Sequence, residues 1–251
     1  MKVLVLIVLF MGISACAWGG GMGGAVEVEV VSDSGMSLPL YPVSDRACSR
    51  RAYAEATKGD HYSIVVRNRL NRRVGVVVAV DGRNIISGKK SWLKNGERMY
   101  VLEPYGEGEF KGWRTGMDTI NRFFFTDAAD SYAAAFNDES AMGVIAVAAY
   151  PEVERFRAYD ELSMSKRKSV GKAAPTARSE EAGTGFGREE YSPVRVVDFE
   201  PEGRAAEKIF IKYEWRSTLC RRGIVSCVRP GPPRNRMWDD DGFAPSPPGW
   251  H

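Results

Sequence analysis

The stretch "VGVVVAV", residues 74–80, decides the fold class of this chain. It is an unbroken apolar run rich in β-branched valine, which is typical of a strand covered on both of its faces. The next residues, "DGRN" at 81–84, favour a tight turn, because Gly82 accepts a positive φ at no steric cost and the side chain of Asp81 can bond backbone groups of the turn. We therefore interpret Asp81–Gly82 as a hairpin turn and not as a catalytic pair.

Segments on both sides of this strand carry similar signals. Alternating, apolar or aromatic runs bounded by turn residues predict further strands at 25–31, 62–70, 98–105, 107–115, 120–127, 142–150, 193–200 and 208–215. "RAYAEA" at 51–56 is interpreted as the first arm of a hairpin with 62–70, and a helical turn is the alternative. So many short strands at near-regular spacing predict an all-β fold, an antiparallel, jelly-roll-like β-sandwich.

Three segments depart from the strand pattern. "DSYAAAFND" at 130–138 predicts the one short helix, with Asp130 as its N-cap. Residues 163–190 are charged and poor in large apolar side chains, which predicts a flexible linker, and the Pro-rich end predicts an extended tail. The expected division is a signal peptide (1–15), a tether and first strand (16–35), the sandwich core (36–160), the linker (163–190), returning strands of the core (191–216), and a Cys loop with a Pro/aromatic tail (217–251).

The first residues resemble an export signal. Lys2 precedes an apolar run, 3–13, that suits a signal peptide and is too short to span a bilayer. Two cleavage patterns compete. Ala15-Cys16-Ala17 fits a signal peptidase site that would discard the cysteine, whereas "ISAC" at 13–16 resembles a lipobox whose Cys16 is lipidated. We favour lipidation, with the Gly-rich stretch 19–24 as a tether, and expect an exported, lipid-anchored protein of the outer membrane or periplasm.

Charge and cysteine content narrow the partners. The chain has 35 basic and 32 acidic residues and a net charge of +3, which gives no strong case for nucleic-acid binding. In an oxidising compartment Cys220 and Cys227 can pair around "RRGIVS", leaving Cys48 over. A zinc site from these cysteines and His61 is the alternative, but their spacing matches no zinc-binding pattern. We expect no metal and no cofactor.

Loop residues near the turn form the candidate binding surface. Exposed aromatic side chains near loops can stack on sugar rings or on partner side chains, although core packing is their commoner role. Basic side chains beside them could bind an anion. The members of this candidate surface are Arg83, Lys89, Lys90, Trp92, Trp113 and Arg114.

Catalytic signals are weaker. Asp118, Asp127 and Asp130 offer carboxylates, and a glycosidase needs two of them about 5 to 9 Å apart across a cleft. A Ser-His-Asp arrangement could use only His61, which has no nucleophile motif nearby. "GTGFG" at 183–187 mimics a phosphate-binding loop but lacks the flanking strand and helix, so we assign no catalytic residue.

Three long motifs carry a resemblance. "DGRNIISGK" (81–89), "GWRTGMD" (112–118) and "FTDAADSYA" (125–133) resemble segments shared by a group of uncharacterised exported bacterial proteins, and "KYEWR" (212–216) is a weaker echo. The resemblance covers roughly residues 40–155. It implies a β-rich exported domain and transfers no site residues.

These observations favour an envelope-exposed binding or structural accessory lipoprotein without catalytic activity. Its expected partner is an envelope protein or a glycan, and its contact with the membrane is through the lipid anchor. The alternative is a carbohydrate-active enzyme or glycan-binding module, with Trp92 and Trp113 as sugar platforms and Asp118, Asp127 or Asp130 as functional carboxylates. Two carboxylates converging beside an exposed tryptophan would favour the enzyme.

Overall fold

The computed structural model describes residues 24–46, 49–154 and 181–228, and within them fourteen strands form two sheets. The first seven strands are β1 (Val26–Ser32), β2 (Leu40–Arg46), β3 (Ser49–Ala56), β4 (His61–Asn68), β5 (Val74–Val80), β6 (Arg83–Asn84) and β7 (Tyr100–Leu102). The others are β8 (Glu107–Phe110), β9 (Gly112–Arg114), β10 (Thr119–Asp127), β11 (Val144–Pro151), β12 (Ala182–Thr184), β13 (Glu189–Tyr191) and β14 (Glu207–Trp215). One α-helix, α1 (Arg216–Arg221), follows the last strand.

The two sheets face each other across a common core. Sheet one has the order β1-β4-β10-β12, with β8 beside β4 and with β9 and β13 beside β10. Sheet two has the order β2-β3-β14-β11-β5-β6, with β7 beside β5. Neighbouring strands are antiparallel except β3 and β14, which run parallel. The predicted all-β, sandwich-like fold is confirmed.

Strand β5 is buried along its whole length, as its valine run predicted. Its inward-facing side chains, such as Val76 and Val78, join the core between the sheets. Its outward-facing Val77 and Ala79 belong to a second apolar cluster that includes Leu93 from the segment after β6. The strand is apolar on both faces because that segment covers the outside of sheet two.

Aromatic rings fill the middle of the core. Tyr62 of β4 stacks on Phe125 of β10 with their ring centroids 4.3 Å apart, and it also lies against Phe123. Tyr213 of β14 reaches the same group from the opposite sheet, 5.1 Å from Phe125. Large rings contributed by both sheets tie the layers together through buried area and ring geometry.

The predicted hairpin of 51–56 with 62–70 is wrong, although both segments are strands. β3 pairs with β2 and β14, whereas β4 pairs with β1, β8 and β10. Each strand turns apolar side chains toward the same core from opposite sheets, and residues 57–60 connect the two layers. The local sequence contains a turn signal, but it carries no information on whether the next strand stays in the same sheet.

The predicted helix at 130–138 is also wrong. Two short 3₁₀ turns, Ala128–Asp130 and Ala134–Phe136, occupy this region instead. Ser131 separates them in an extended conformation, and its hydroxyl accepts a hydrogen bond from the Ala134 amide. Asn137 ends the second turn with a left-handed φ of 54°. Side-chain competition for backbone groups therefore overrides the helical preference of the alanines.

The boundaries of the linker and of the returning strands need correction. Residues 181–190 were expected in the linker, yet β12 and β13 pair with β10 and complete sheet one. The rest of the predicted linker, 163–180, lies outside the described residues. The strand expected at 193–200 is absent, since this segment makes no ladder and only the bridge of Pro201 to Glu152 follows it. β14 confirms the strand predicted at 208–215.

Cys220 and Cys227 are joined by a disulfide bond, with their Cα atoms 4.9 Å apart. This agrees with the pairing expected from the sequence, and it excludes a zinc site that uses both thiolates. Within the described part of the chain, no helix is long and apolar enough to cross a bilayer. Cys16, Cys48 and the tail beyond residue 228 lie outside the described residues.

Candidate functional site

The tight turn predicted after β5 is present. Asp81 and Gly82 both have positive φ, 48° and 77°, as the central residues of a type I′ hairpin turn require. The Asp81 carboxylate does not serve its own turn, however. It accepts hydrogen bonds from the Gly143 amide (2.8 Å), the Thr184 amide (2.7 Å) and the Tyr213 hydroxyl (2.6 Å). A single side chain thus joins segments from both sheets.

The Asp81 carboxylate is the first group of a buried hydrogen-bond network. The Thr184 hydroxyl lies 2.6 Å from the Tyr213 hydroxyl and 2.7 Å from the Tyr62 hydroxyl. Burial raises the pKa of Asp81 to about 6, although the hydrogen bonds from Tyr213 and the backbone amides act to lower it. Burial also raises the pKa of Tyr62 and Tyr213 well above that of a free phenol. Because Asp81 is 0% exposed, the group links the sheets and does not reach a ligand.

Next to this hydrogen-bond network, a stack of aromatic side chains extends from the core to the surface. Trp113 is only 2% exposed, so its expected place on a binding surface is wrong. Its indole N–H donates to the Gly185 carbonyl (3.1 Å), and its ring lies 4.3 Å from that of Tyr132. Tyr132 in turn contacts Phe136 and Phe186, whose ring centroids are 5.0 and 5.4 Å away. Phe136 is 51% and Phe186 45% exposed, so the stack ends at the surface.

Close packing against β10 requires glycine at two positions of "GTGFG". Residues 182–191 run antiparallel along β10, and a Cβ atom at Gly185 would lie 2.2 Å from the ring of Phe124. A Cβ at Gly187 would lie 2.6 Å from the Arg122 carbonyl. Glycine therefore permits the close approach that places Phe186 on Tyr132.

Arg83 packs against Phe136 of the aromatic stack. Its guanidinium carbon lies 4.2 Å from the ring centroid of Phe136, and it donates to the Gly88 carbonyl at 2.7 Å. Its second terminal nitrogen is 4.0 Å from a carboxylate oxygen of Asp138. Arg83 is itself largely buried, so it positions Phe136 and the turn and is not the exposed cation expected from the sequence.

A rigid loop presents Trp92, which is 65% exposed. The Glu97 carboxylate accepts hydrogen bonds from the Ser91 hydroxyl (2.7 Å), the Trp92 amide (2.8 Å) and the Lys94 amide (3.0 Å). Leu93, which is buried, has a φ of 53°, an unfavourable conformation for a bulky side chain that costs about 1 to 2 kcal/mol. The hydrogen bonds to Glu97 and the burial of Leu93 hold the loop in this conformation.

Polar side chains lie between Trp92 and the aromatic stack. The Lys90 ammonium is 5.6 Å from the Trp92 ring centroid, 3.0 Å from the Ser140 hydroxyl and 3.3 Å from the Asp138 carboxylate. Asp138 also accepts from the Ser140 hydroxyl at 2.6 Å. Burial acts to raise the pKa of Asp138, but the hydrogen bonds from Ser140 and Lys90 outweigh it and lower that pKa. We call the surface formed by Trp92, Lys90, Asp138, Ser140, Arg83, Phe136 and Phe186 the aromatic edge.

Two expected members of the binding surface make none of the contacts that define the aromatic edge. Lys89 is exposed, and its main chain is held by a bond from the Asn84 amide to its carbonyl. The Arg114 side chain donates to the Tyr100 hydroxyl and to the carbonyl and hydroxyl of Ser192, in a separate cleft of about 150 Å³. Because these donors are already used, the cleft offers little to an anion.

The carboxylates expected for catalysis do not all converge. Asp118 precedes β10 and Asp127 ends it, which separates them by about 30 Å at the rise of an extended strand. Asp127 forms an ion pair with Lys58. Asp130 adds to the field that raises the pKa of Lys58, after the hydrogen bond and charge of Asp127. Asp118 and Asp127 are therefore too far apart to face each other across one sugar.

Sequence reasoning missed several members of the site. Phe136 and Tyr132 were placed on a helix, Phe186 was placed in the linker, and Glu97 and Asp138 carried no signal of their own. The only available hint was that the first and third of the long motifs contain Arg83 and Tyr132, which contact Phe136 at this edge. Comparisons with family models, with curated proteins and with solved structures found no match, so the function is argued from the geometry.

Proposed function

We propose that this protein is an envelope-exposed, lipid-anchored binding protein without catalytic activity, and that it binds its partner at the aromatic edge. The observation that carries the proposal is the exposure of Trp92, Phe136 and Phe186 on segments that are held rigidly. Large exposed rings grouped at one end of a domain are typical of interaction sites.

The rigidity of the edge supports binding over a purely structural role. Glu97 fixes the Trp92 loop, and Tyr132 fixes the rings of Phe136 and Phe186. A partner that contacts these rings loses little entropy in ordering them, because the protein has already ordered them on folding. A ring that served only packing would be expected to lie in the core, as Trp113 does.

The carbohydrate-active enzyme remains the second hypothesis, and the geometry disfavours it. An acid and a base must face each other across the bound sugar. Asp118 lies at the far end of β10 from Asp127 and Asp130, and Asp127 is engaged by Lys58. Asp138, the carboxylate that does lie at the aromatic edge, is engaged by Lys90 and Ser140.

The anchor has its own test. We expect Cys16→Ser to release the protein from the membrane fraction and to abolish labelling by an alkyne-palmitate probe, because the "ISAC" pattern makes Cys16 the lipidated residue. The measurement is labelling and fractionation of the wild type and the variant. An unlabelled wild type, or a variant that remains membrane-bound, would exclude the lipoprotein.

The binding surface is tested by affinity capture with the mature protein from solubilised envelopes. We expect Trp92→Ala and Phe136→Ala to reduce recovery of the captured partner at least about tenfold, the loss that removal of about 1.4 kcal/mol of contact energy produces. Tyr191→Ala is the matched control, since Tyr191 is an equally exposed aromatic residue beside the opposite end of β10. Identical recovery with all three variants would move the site elsewhere.

A further inference from the structure

We infer that the aromatic edge binds an uncharged saccharide, with one sugar ring on the face of Trp92 and its hydroxyl groups on Lys90, Asp138 and Ser140. This inference rests on the proposed function and names the ligand class of the same site. It depends on the order in which apolar and polar groups follow each other along the edge.

The groups alternate in a way that suits a sugar chain. Trp92 offers a flat apolar face, and the ammonium of Lys90 lies 5.6 Å from its centre. Next come the carboxylate of Asp138 and the hydroxyl of Ser140, and then the exposed ring of Phe136. A pyranose has the same composition, with C–H groups on its faces and hydroxyls around its rim, so one unit can use a ring and a polar cluster at once.

The polar cluster has the donors and acceptors that hydroxyl groups need. Lys90 donates, Asp138 accepts, and Ser140 does both. Among the described residues, the second carboxylate oxygen of Asp138 makes no hydrogen bond and lies 4.0 Å from Arg83, and the Asp138 side chain is 11% exposed. That oxygen is left to accept from a sugar hydroxyl, and a bond to a charged group is among the stronger ones available.

Charge favours a neutral ligand over an acidic one. Lys90 and Asp138 form an ion pair, so their charges offset each other where the sugar would lie. The Arg83 guanidinium is covered by Phe136 and already donates to Gly88. A carboxylate or phosphate placed on this cluster would be repelled by Asp138, whose two cationic neighbours, Arg83 and Lys90, are already engaged by it.

A protein partner fits the same surface less well. A stable protein interface buries about 800 Å² on each side and needs a well-packed apolar centre. Here the polar cluster separates Trp92 from Phe136, so a protein covering the edge would bury the Lys90–Asp138 pair at a cost. A sugar leaves that pair solvated on one side.

The test is ligand-observed NMR and calorimetric titration of the mature protein. The probes are hexasaccharides of glucose, of N-acetylglucosamine and of mannose, with a hexamer of galacturonate as the acidic counterpart. We expect at least one neutral probe to bind with a Kd of about 1 mM or tighter, and the acidic probe to bind more weakly. Trp92→Ala and Asp138→Asn should each weaken binding about tenfold, and Tyr191→Ala should leave it unchanged.

The outcomes separate this inference from the proposed function. If no neutral probe binds while envelope capture still depends on Trp92, the ligand is not a neutral saccharide and the binding function stands. Tighter binding of the acidic hexamer would likewise overturn the ligand class. Equal saccharide binding by wild type and Trp92→Ala would place the sugar outside the aromatic edge. If envelope capture were also unchanged by Trp92→Ala, both the ligand class and the proposed binding site would be wrong.

Discussion

Replacing Asp81 with alanine is expected to lower the free energy of unfolding by about 4 kcal/mol, because three buried donors lose their acceptor at about 1 to 3 kcal/mol each. These donors are the amides of Gly143 and Thr184 and the hydroxyl of Tyr213, of which only the hydroxyl keeps another partner. Urea unfolding at neutral pH measures the loss. Asp60→Ala is the control, since Asp60 is an exposed turn residue that bonds through its main chain.

The pH dependence identifies the carboxyl group as the cause. The pKa of Asp81 rises from 3.8 to about 6 on folding, so the folded state holds a proton more tightly than the unfolded chain. The stability contributed by protonation of this carboxyl group is complete below about pH 4 and is lost as the pH rises to 6, a change of about 3 kcal/mol. The hydrogen bonds that the carboxylate accepts are a separate contribution, and they are what Asp81→Ala removes at neutral pH. Asp81→Asn lacks this titration. The free energy of unfolding of the wild type minus that of Asp81→Asn should therefore fall as the pH rises from 4 to 6. A difference that stays constant with pH would contradict the assignment.

Replacing Trp113 with alanine is expected to cost about 4 kcal/mol, because removal of a buried aromatic side chain leaves a cavity that the surrounding structure fills only in part. Trp113 packs on Tyr132 and Phe123, and its indole N–H satisfies the Gly185 carbonyl. The measurement is again urea unfolding, with near-ultraviolet circular dichroism to report the packing of the remaining rings.

Trp92→Ala is the matched comparison for Trp113. Both changes remove an indole, but Trp92 is mostly exposed, so its removal should change stability by no more than about 0.5 kcal/mol. Trp92→Ala should weaken binding more than Trp113→Ala does, since Trp92 contacts the ligand directly in the proposed site. A large stability loss with Trp92→Ala, or none with Trp113→Ala, would reverse the roles assigned to the two tryptophans.

Much of the fold could be predicted because periodicity reports burial. The valine run of β5, the alternation of β1 and the aromatic run of β10 each identified a strand, and the Asp81–Gly82 pair identified its turn. These signals are local, since each depends only on which side chains face the core. Pairing across the sandwich is not local, and for that reason β3 and β4 were assigned to one hairpin when they lie in different sheets.

The site was harder to predict because exposure depends on distant segments. Trp92 and Trp113 each follow a lysine and a small residue, yet Trp92 is mostly exposed and Trp113 is buried against Tyr132. Asp81 looked like a turn residue and is one, but its carboxylate reaches Thr184 more than a hundred positions away. Long-range hydrogen bonds of this kind leave no trace in the spacing of neighbouring residues.

The place of β14 has a consequence for how the chain acquires its structure. This last strand lies between β3 and β11 in the middle of sheet two, parallel to the first and antiparallel to the second. During synthesis or export the earlier strands of that sheet have an unfilled gap until residue 215 is available. Contacts so distant along the chain slow folding and leave sheet edges open to association. A chain that ends before β14 would therefore leave β3 and β11 with unpaired edges, which a chaperone could bind. It would not fold into a smaller sandwich.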